Sequence, residues 1–141
     1  MNFETVENEL LSLIEKKNNA IIAIEGKSGA GKTKIIKTVQ RIYSNKITVW
    51  TSEKFISIII EAIKSGTDPV ELFETAKNDI IAIEDIDFGL TGRRIMQNII
   101  SQIFQSLVMH GKIIITGTEL CQRIPDVIKN NEPDLIFLNL E

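Results

Sequence analysis

Residues 20–33 read AIIAIEGKSGAGKT, an apolar run that stops at Glu25 and passes into a loop with three glycines in six residues. The run carries no polar alternation, which is the pattern of a strand covered on both faces. The loop that follows, Gly26-Lys27-Ser28-Gly29-Ala30-Gly31-Lys32-Thr33, fits the phosphate-binding pattern G-x-x-x-x-G-K-[ST] at every fixed position. Glycines let backbone amides turn inward around a phosphate, and the start of a helix adds its partial positive charge. Gly26, Ser28, Gly29, Ala30, Gly31, Lys32 and Thr33 are therefore the candidate phosphate-binding residues. Lys32 would reach the β- and γ-phosphates, and the Thr33 hydroxyl would ligate Mg²⁺. The side chains of Lys27 and Ser28 receive no specific role, because the pattern leaves their positions variable.

On either side of this loop the hydrophobic period alternates between two types. Residues 20–25, 47–51, 79–84, 112–118 and 134–140 are short β-rich runs. Between them, apolar residues recur three or four apart: Ile35, Ile36, Val39, Ile42 and Tyr43; Phe55, Ile58, Ile59 and Ile63; Ile95, Ile99, Ile103, Phe104 and Leu107. These spacings predict amphipathic helices. Val6, Leu10, Leu13 and Ile14 predict an opening helix over 4–17 that Asn18-Asn19 ends. Asp68-Pro69 reads as an N-cap and first helical residue, and Gly111 as a helix terminator. Strands alternating with helices imply an α/β fold with a parallel sheet covered on both faces.

Composition excludes several classes. The chain of 141 residues, 43% hydrophobic and 25% charged, suits one domain with one core. Its single cysteine, Cys121, cannot form an internal disulfide. No stretch resembles a signal peptide or an apolar span of about 20 residues, so the expected setting is cytoplasmic, with no membrane partner. A net charge of −3 argues against a general grip on a nucleic-acid backbone.

A phosphate loop alone does not separate kinases from ATPases, and the run NDIIAIEDID is more informative. It ends an apolar strand with Glu84, Asp85 and Asp87, at the carboxyl end where open α/β sheets bind ligands. One such carboxylate orients Mg²⁺ while the next polarises an attacking water, so two adjacent acids favour hydrolysis. Which of Glu84 and Asp85 serves the metal is open at this level. At the end of the next strand, IIITGTEL, Thr116 or Thr118 could sense the γ-phosphate or hold the water. His110, before Gly111, reads as a helix C-terminal residue, and Trp50 as a strand-edge packing residue. Arg93-Arg94 reads as a solvated helix start.

TSEKF at 51–55 after ITVW, NDIIAIEDIDF at 78–88 and HGKIIITGTE at 110–119 together resemble the nucleotide-binding domain of the bacterial replication initiator DnaA and its AAA+ relatives. The likeness covers about residues 20–120. It implies a P-loop NTPase three-layer sandwich with five parallel strands in the order 5-1-4-3-2. It further implies ATP as nucleotide, Lys32 and Thr33 as phosphate and Mg²⁺ ligands, Glu84-Asp85 as the acidic pair and Thr118 as the sensor. In that family the helices after SEKF can face single-stranded DNA. Family members continue into a helical lid and a duplex-DNA reader, whereas this chain ends at Glu141 after the fifth expected strand. The arginine-rich stretch before the last strand corresponds here to VIKNNEPD, without arginine, and Arg123 beyond Pro125 is a poor substitute. The expectation is one lidless domain over 1–141. Its leading function is that of an ATP-binding regulatory module of DNA replication, a weak ATPase or nucleotide switch, with another replication or DnaA-type protein as partner and weak single-stranded DNA binding. A nucleotide-binding module without turnover and a small P-loop kinase are the alternatives.

Overall fold

The computed structural model describes residues 1–16, 19–87, 94–119 and 135–141. Strands β1 (Ala20–Glu25), β2 (Ile47–Trp50), β3 (Ile80–Ile83), β4 (Ile113–Thr118) and β5 (Leu135–Asn139) are joined by helices α1 (Phe3–Lys16), α2 (Lys32–Tyr43), α3 (Ser52–Lys64), α4 (Pro69–Glu74) and α5 (Arg94–Met109). All the strand pairs are parallel, and the order is β2-β3-β4-β1-β5, the expected 5-1-4-3-2 read from the other edge. Each strand lies within a residue or two of its sequence prediction. The turn at Phe88-Gly89, together with Asn18, Arg93, Cys121, Arg123, Pro125 and VIKNNEPD, lies outside the described residues.

Successive strand side chains point to opposite faces, so an unbroken apolar run supplies two cores. Ile21 and Ala23 of β1 join Ile81, Ile83 and Ile114 beneath α3, α4 and α5. Ala20, Ile22 and Ile24 join Ile80, Ala82, Ile113 and Ile115 beneath α1 and α2. The result is a three-layer sandwich. On the first face, Trp50 at the edge strand packs on Phe55 and Phe73, with ring centroids 6.3 and 5.2 Å apart.

Local chemistry sets the helix boundaries. Thr51 accepts the Lys54 N–H at 3.1 Å and starts α3; Asp68 accepts the Val70 N–H at 3.0 Å, with Pro69 in the first turn of α4. Gly111, at φ 78°, closes α5 by donating its N–H to Val108, and the Lys112 N–H reaches Leu107. His110 stands at this helix end, its Nδ1 2.7 Å from the Ser106 carbonyl oxygen.

Three residues assigned to apolar stripes depart from expectation: Ile42 is 52% exposed, Ile63 50% and Ile95 70%. The buried stripe of α5 runs through Ile100, Ile103, Phe104, Leu107 and Val108. At about 100° per residue, Ile95 falls more than about 100° from its centre. Ile42 and Ile63 sit at stripe borders in last turns. No helix among the described residues is long and apolar enough to cross a membrane.

Candidate functional site

The carboxyl ends of β1, β3 and β4 open onto one cavity of about 360 Å³. Its lining includes Ser28, Gly29, Gly31, Lys32, Thr33, Glu84 and Asp85, so residues 56 positions apart in sequence, such as Ser28 and Glu84, meet there.

The loop's geometry follows from its glycines. Gly29 has φ 85° and faces open space; Gly31 has φ 114°, and a β-carbon there would stand 2.9 Å from the Phe3 ring. Only glycine suits that left-handed, crowded position. Gly31 is also the N-cap of α2 and offers no side-chain cap, so the first-turn amides of the helix keep their donors for a ligand. The Lys32 ammonium donates to the Gly26 carbonyl and, at 3.4 Å, to that of Thr118. Gly26 does not line the cavity; its N–H is donated to Thr118 at 2.9 Å, which ties the loop's entry to the end of β4. Ala30 packs against the α1–α2 core.

Opposite the loop stand the acids. Glu84 and Asp85 are both half-buried in the lining. Burial pushes the Asp85 carboxyl up; the Asp87 N–H, donated to its Oδ1 at 2.9 Å, and the Lys32 charge oppose this, while the charges of Asp87 and Glu119 add to it. Neither threonine candidate reaches the cavity. Thr116 is 1% exposed, and Thr118 is fully buried with its hydroxyl donated to Asp87 at 2.6 Å. The lining instead contains Lys34, Ser52 and Glu119. Ser52 and Glu119 each follow the end of a parallel strand, and that location was the sequence signal for them.

Gly117 permits this convergence. A β-carbon on it would lie 2.5 Å from the Glu84 carbonyl oxygen, and its own carbonyl accepts the Ile86 N–H at 3.0 Å. The chain leaving β3 thus approaches β4 more closely than a side chain at position 117 allows.

Glycine loop, lysine, first-turn hydroxyl and strand-end acids on a sheet of this order have the arrangement of the P-loop fold of the AAA+ class. The family profile of the bacterial DnaA ATPase domain matches residues 5–136, and the chain belongs to that family. Among solved structures, domain III of the Thermotoga maritima replication initiation protein DnaA superposes with a TM-score of 0.78 at 22% identity, over 98% of this chain and 62% of that one. The replication initiator DnaA bound to AMPPCP and single-stranded DNA gives 0.76 at 22%, over 97% and 44%. The Aeropyrum pernix ORC1 protein in complex with DNA gives 0.64 at 15%, over 98% and 44%. The chain thus spans less than two thirds of the length of each. No curated protein sequence matches it.

Proposed function

We propose that this chain binds ATP as its Mg²⁺ complex in the cavity between the glycine loop and the β3 acids, and acts as a nucleotide switch with slow hydrolysis in a DnaA-type replication system. One observation carries the reading: Lys32, Thr33, Glu84 and Asp85 line a single cavity below the uncapped start of α2. The loop amides and Lys32 would hold phosphate oxygens, the ammonium leaving its two carbonyl acceptors for charge-assisted bonds.

The residues also fit the metal. Among the described residues no three acids, histidines or cysteines lie close enough to hold an ion unaided. That suits Mg²⁺, which keeps waters and binds through one or two carboxylates plus substrate phosphates. Thr33 and Glu84 would hold it, and the bound ion would supply charge neutralisation at the β- and γ-phosphates. Asp85, made more basic chiefly by burial, would polarise the attacking water. Thr118 would act on this site through Asp87 and the backbone rather than by touching phosphate. The partner would be another replication protein of the DnaA type. Single-stranded DNA, bound by one of the structural relatives, would lie across α3 and α4.

Titration with a fluorescent ATP analogue in MgCl₂ tests the reading. Lys32→Ala should lose about 2–4 kcal/mol, roughly 30- to 1000-fold, while melting like wild type. Equal affinity in the two proteins overturns it.

A further inference from the structure

Asp87 follows the β3 acids but is not part of the cavity lining. It is 6% exposed, and its two carboxylate oxygens accept the Thr118 hydroxyl at 2.6 Å and the Glu119 N–H at 2.8 Å. Its own N–H is donated to Asp85 at 2.9 Å. One buried acid therefore fastens the exit of β4 to the exit of β3, and the bond from Ile86 to Gly117 runs beside it.

The residue fixed by this clamp is Glu119. It lines the cavity with Lys32, Thr33 and the β3 acids, and also a second cavity behind the loop with Glu25 and Lys27. It thus stands between the two spaces flanking the glycine loop. A third carboxylate in the lining works against a bare polyphosphate, because like charges placed together in a partly desolvated site repel strongly. A divalent cation carried by the phosphates reverses the sign of that contact.

We propose that Glu119, positioned by Asp87, is a specificity-determining residue that makes the cavity discriminate against metal-free nucleoside triphosphate and accept its divalent-metal complex. The inference rests on the nucleotide reading above and adds the form of nucleotide selected. Neither residue is asked to touch the reacting atoms. Asp87 acts through the Glu119 backbone.

The experiment compares affinity for a fluorescent ATP analogue in MgCl₂ and in EDTA. Wild type should bind far more weakly in EDTA. Glu119→Gln should tighten metal-free binding about tenfold while changing Mg²⁺-bound affinity less than about threefold, so the ratio shrinks. Asp87→Asn keeps an acceptor for Thr118 but turns a donor toward the Glu119 N–H, and should shift the ratio the same way by about threefold. Thr118→Ser retains the hydroxyl and should keep the wild-type ratio. General destabilisation weakens both affinities together and does not move the ratio. An unchanged ratio in Glu119→Gln overturns the proposal. Should Asp87→Asn fail to fold, Thr118→Val is the second variant, and a wild-type ratio there overturns the clamp. Equal binding by wild type and Lys32→Ala defeats the nucleotide reading itself, and the inference with it; loss of binding in Lys32→Ala beside an unchanged Glu119→Gln ratio defeats the inference alone.

Discussion

The two ends of the sheet carry cavities of nearly equal size and opposite character. At the carboxyl end, about 360 Å³ opens between Gly29, Lys32, Thr33 and the strand-end acids. At the amino end, about 380 Å³ opens between Ile14, Glu15, Tyr43, Lys46, Asp79 and Gly111. Volume does not separate them; chain direction does. In a parallel α/β layer the helices run antiparallel to the strands, so helix starts gather at one end and helix finishes at the other. The carboxyl end receives the start of α2, with first-turn amides that no N-cap side chain covers and a positive partial charge. The amino end receives the last turns of α1 and α2, where carbonyls and negative partial charge prevail. There the Lys112 ammonium faces Asp79 at 3.6 Å, and burial, then the Glu15 charge, push the Tyr43 hydroxyl up. The helix-terminus partial charges therefore favour a phosphate at one end and disfavour it at the other.

The largest effect that can break this comparison is on binding. Lys32→Ala should cost about 2–4 kcal/mol of nucleotide affinity, whereas Lys46→Ala, an equal loss of charge at the amino end, should leave affinity within about twofold. Comparable losses from both, measured by the same titration, would show that total charge and not chain direction guides the nucleotide.

Much of the carboxyl end was legible because its signals are local. Gly26 to Thr33 is a contiguous pattern, and Glu84-Asp85 close an apolar run at the point where strands deliver ligand groups. The strand order was legible only through the family resemblance, since spacing alone does not rank neighbours. What could not be read depends on contacts between distant segments. Glu119 stands at a strand end that sequence marks, but the bond from its N–H to Asp87, 32 residues earlier, is a contact no local pattern prints. Thr118 resembled a sensor in sequence, yet its hydroxyl is spent on that same acid. Ile42, Ile63 and Ile95 fit a helical period, but a period does not say how wide the buried stripe is.

Gly117 and Gly111 look alike in sequence, and the structure assigns them different costs. A β-carbon at Gly117 would meet the Glu84 carbonyl at 2.5 Å, backbone that cannot rotate aside. Gly117→Ala should therefore destabilise by about 2–3 kcal/mol and weaken nucleotide binding, because the acids move with β3. Gly111 has φ 78° but open space around it, so Gly111→Ala should cost only about 1 kcal/mol and leave binding unchanged. Urea melts with and without Mg-ATP separate the two cases. Equal costs would mean that β3 and β4 can part without strain.

The smallest effect sharpens the comparison most, because it concerns a group working against the fold. Asp85 has its carboxyl raised chiefly by burial, so the folded protein favours its protonated form. For an acid raised in the folded state, the stabilising contribution is full below the unfolded value and is lost as pH rises through the folded one. The apo protein should thus lose stability as pH climbs from the ordinary carboxylate range through the raised value. Asp85→Asn should remove that slope and stabilise the apo protein at neutral pH by no more than about 1 kcal/mol, since the group remains half in water. The same substitution should slow phosphate release, because the carboxylate whose charged form burial disfavours is the one proposed to polarise water. At the amino end, Asp79→Asn removes an acid that is itself exposed, although its partner Lys112 is largely covered, and should yield no such gain. Urea melts of the three proteins across pH 4–8 decide it: an Asp85→Asn curve parallel to wild type would place the energetic cost of this site outside its acids.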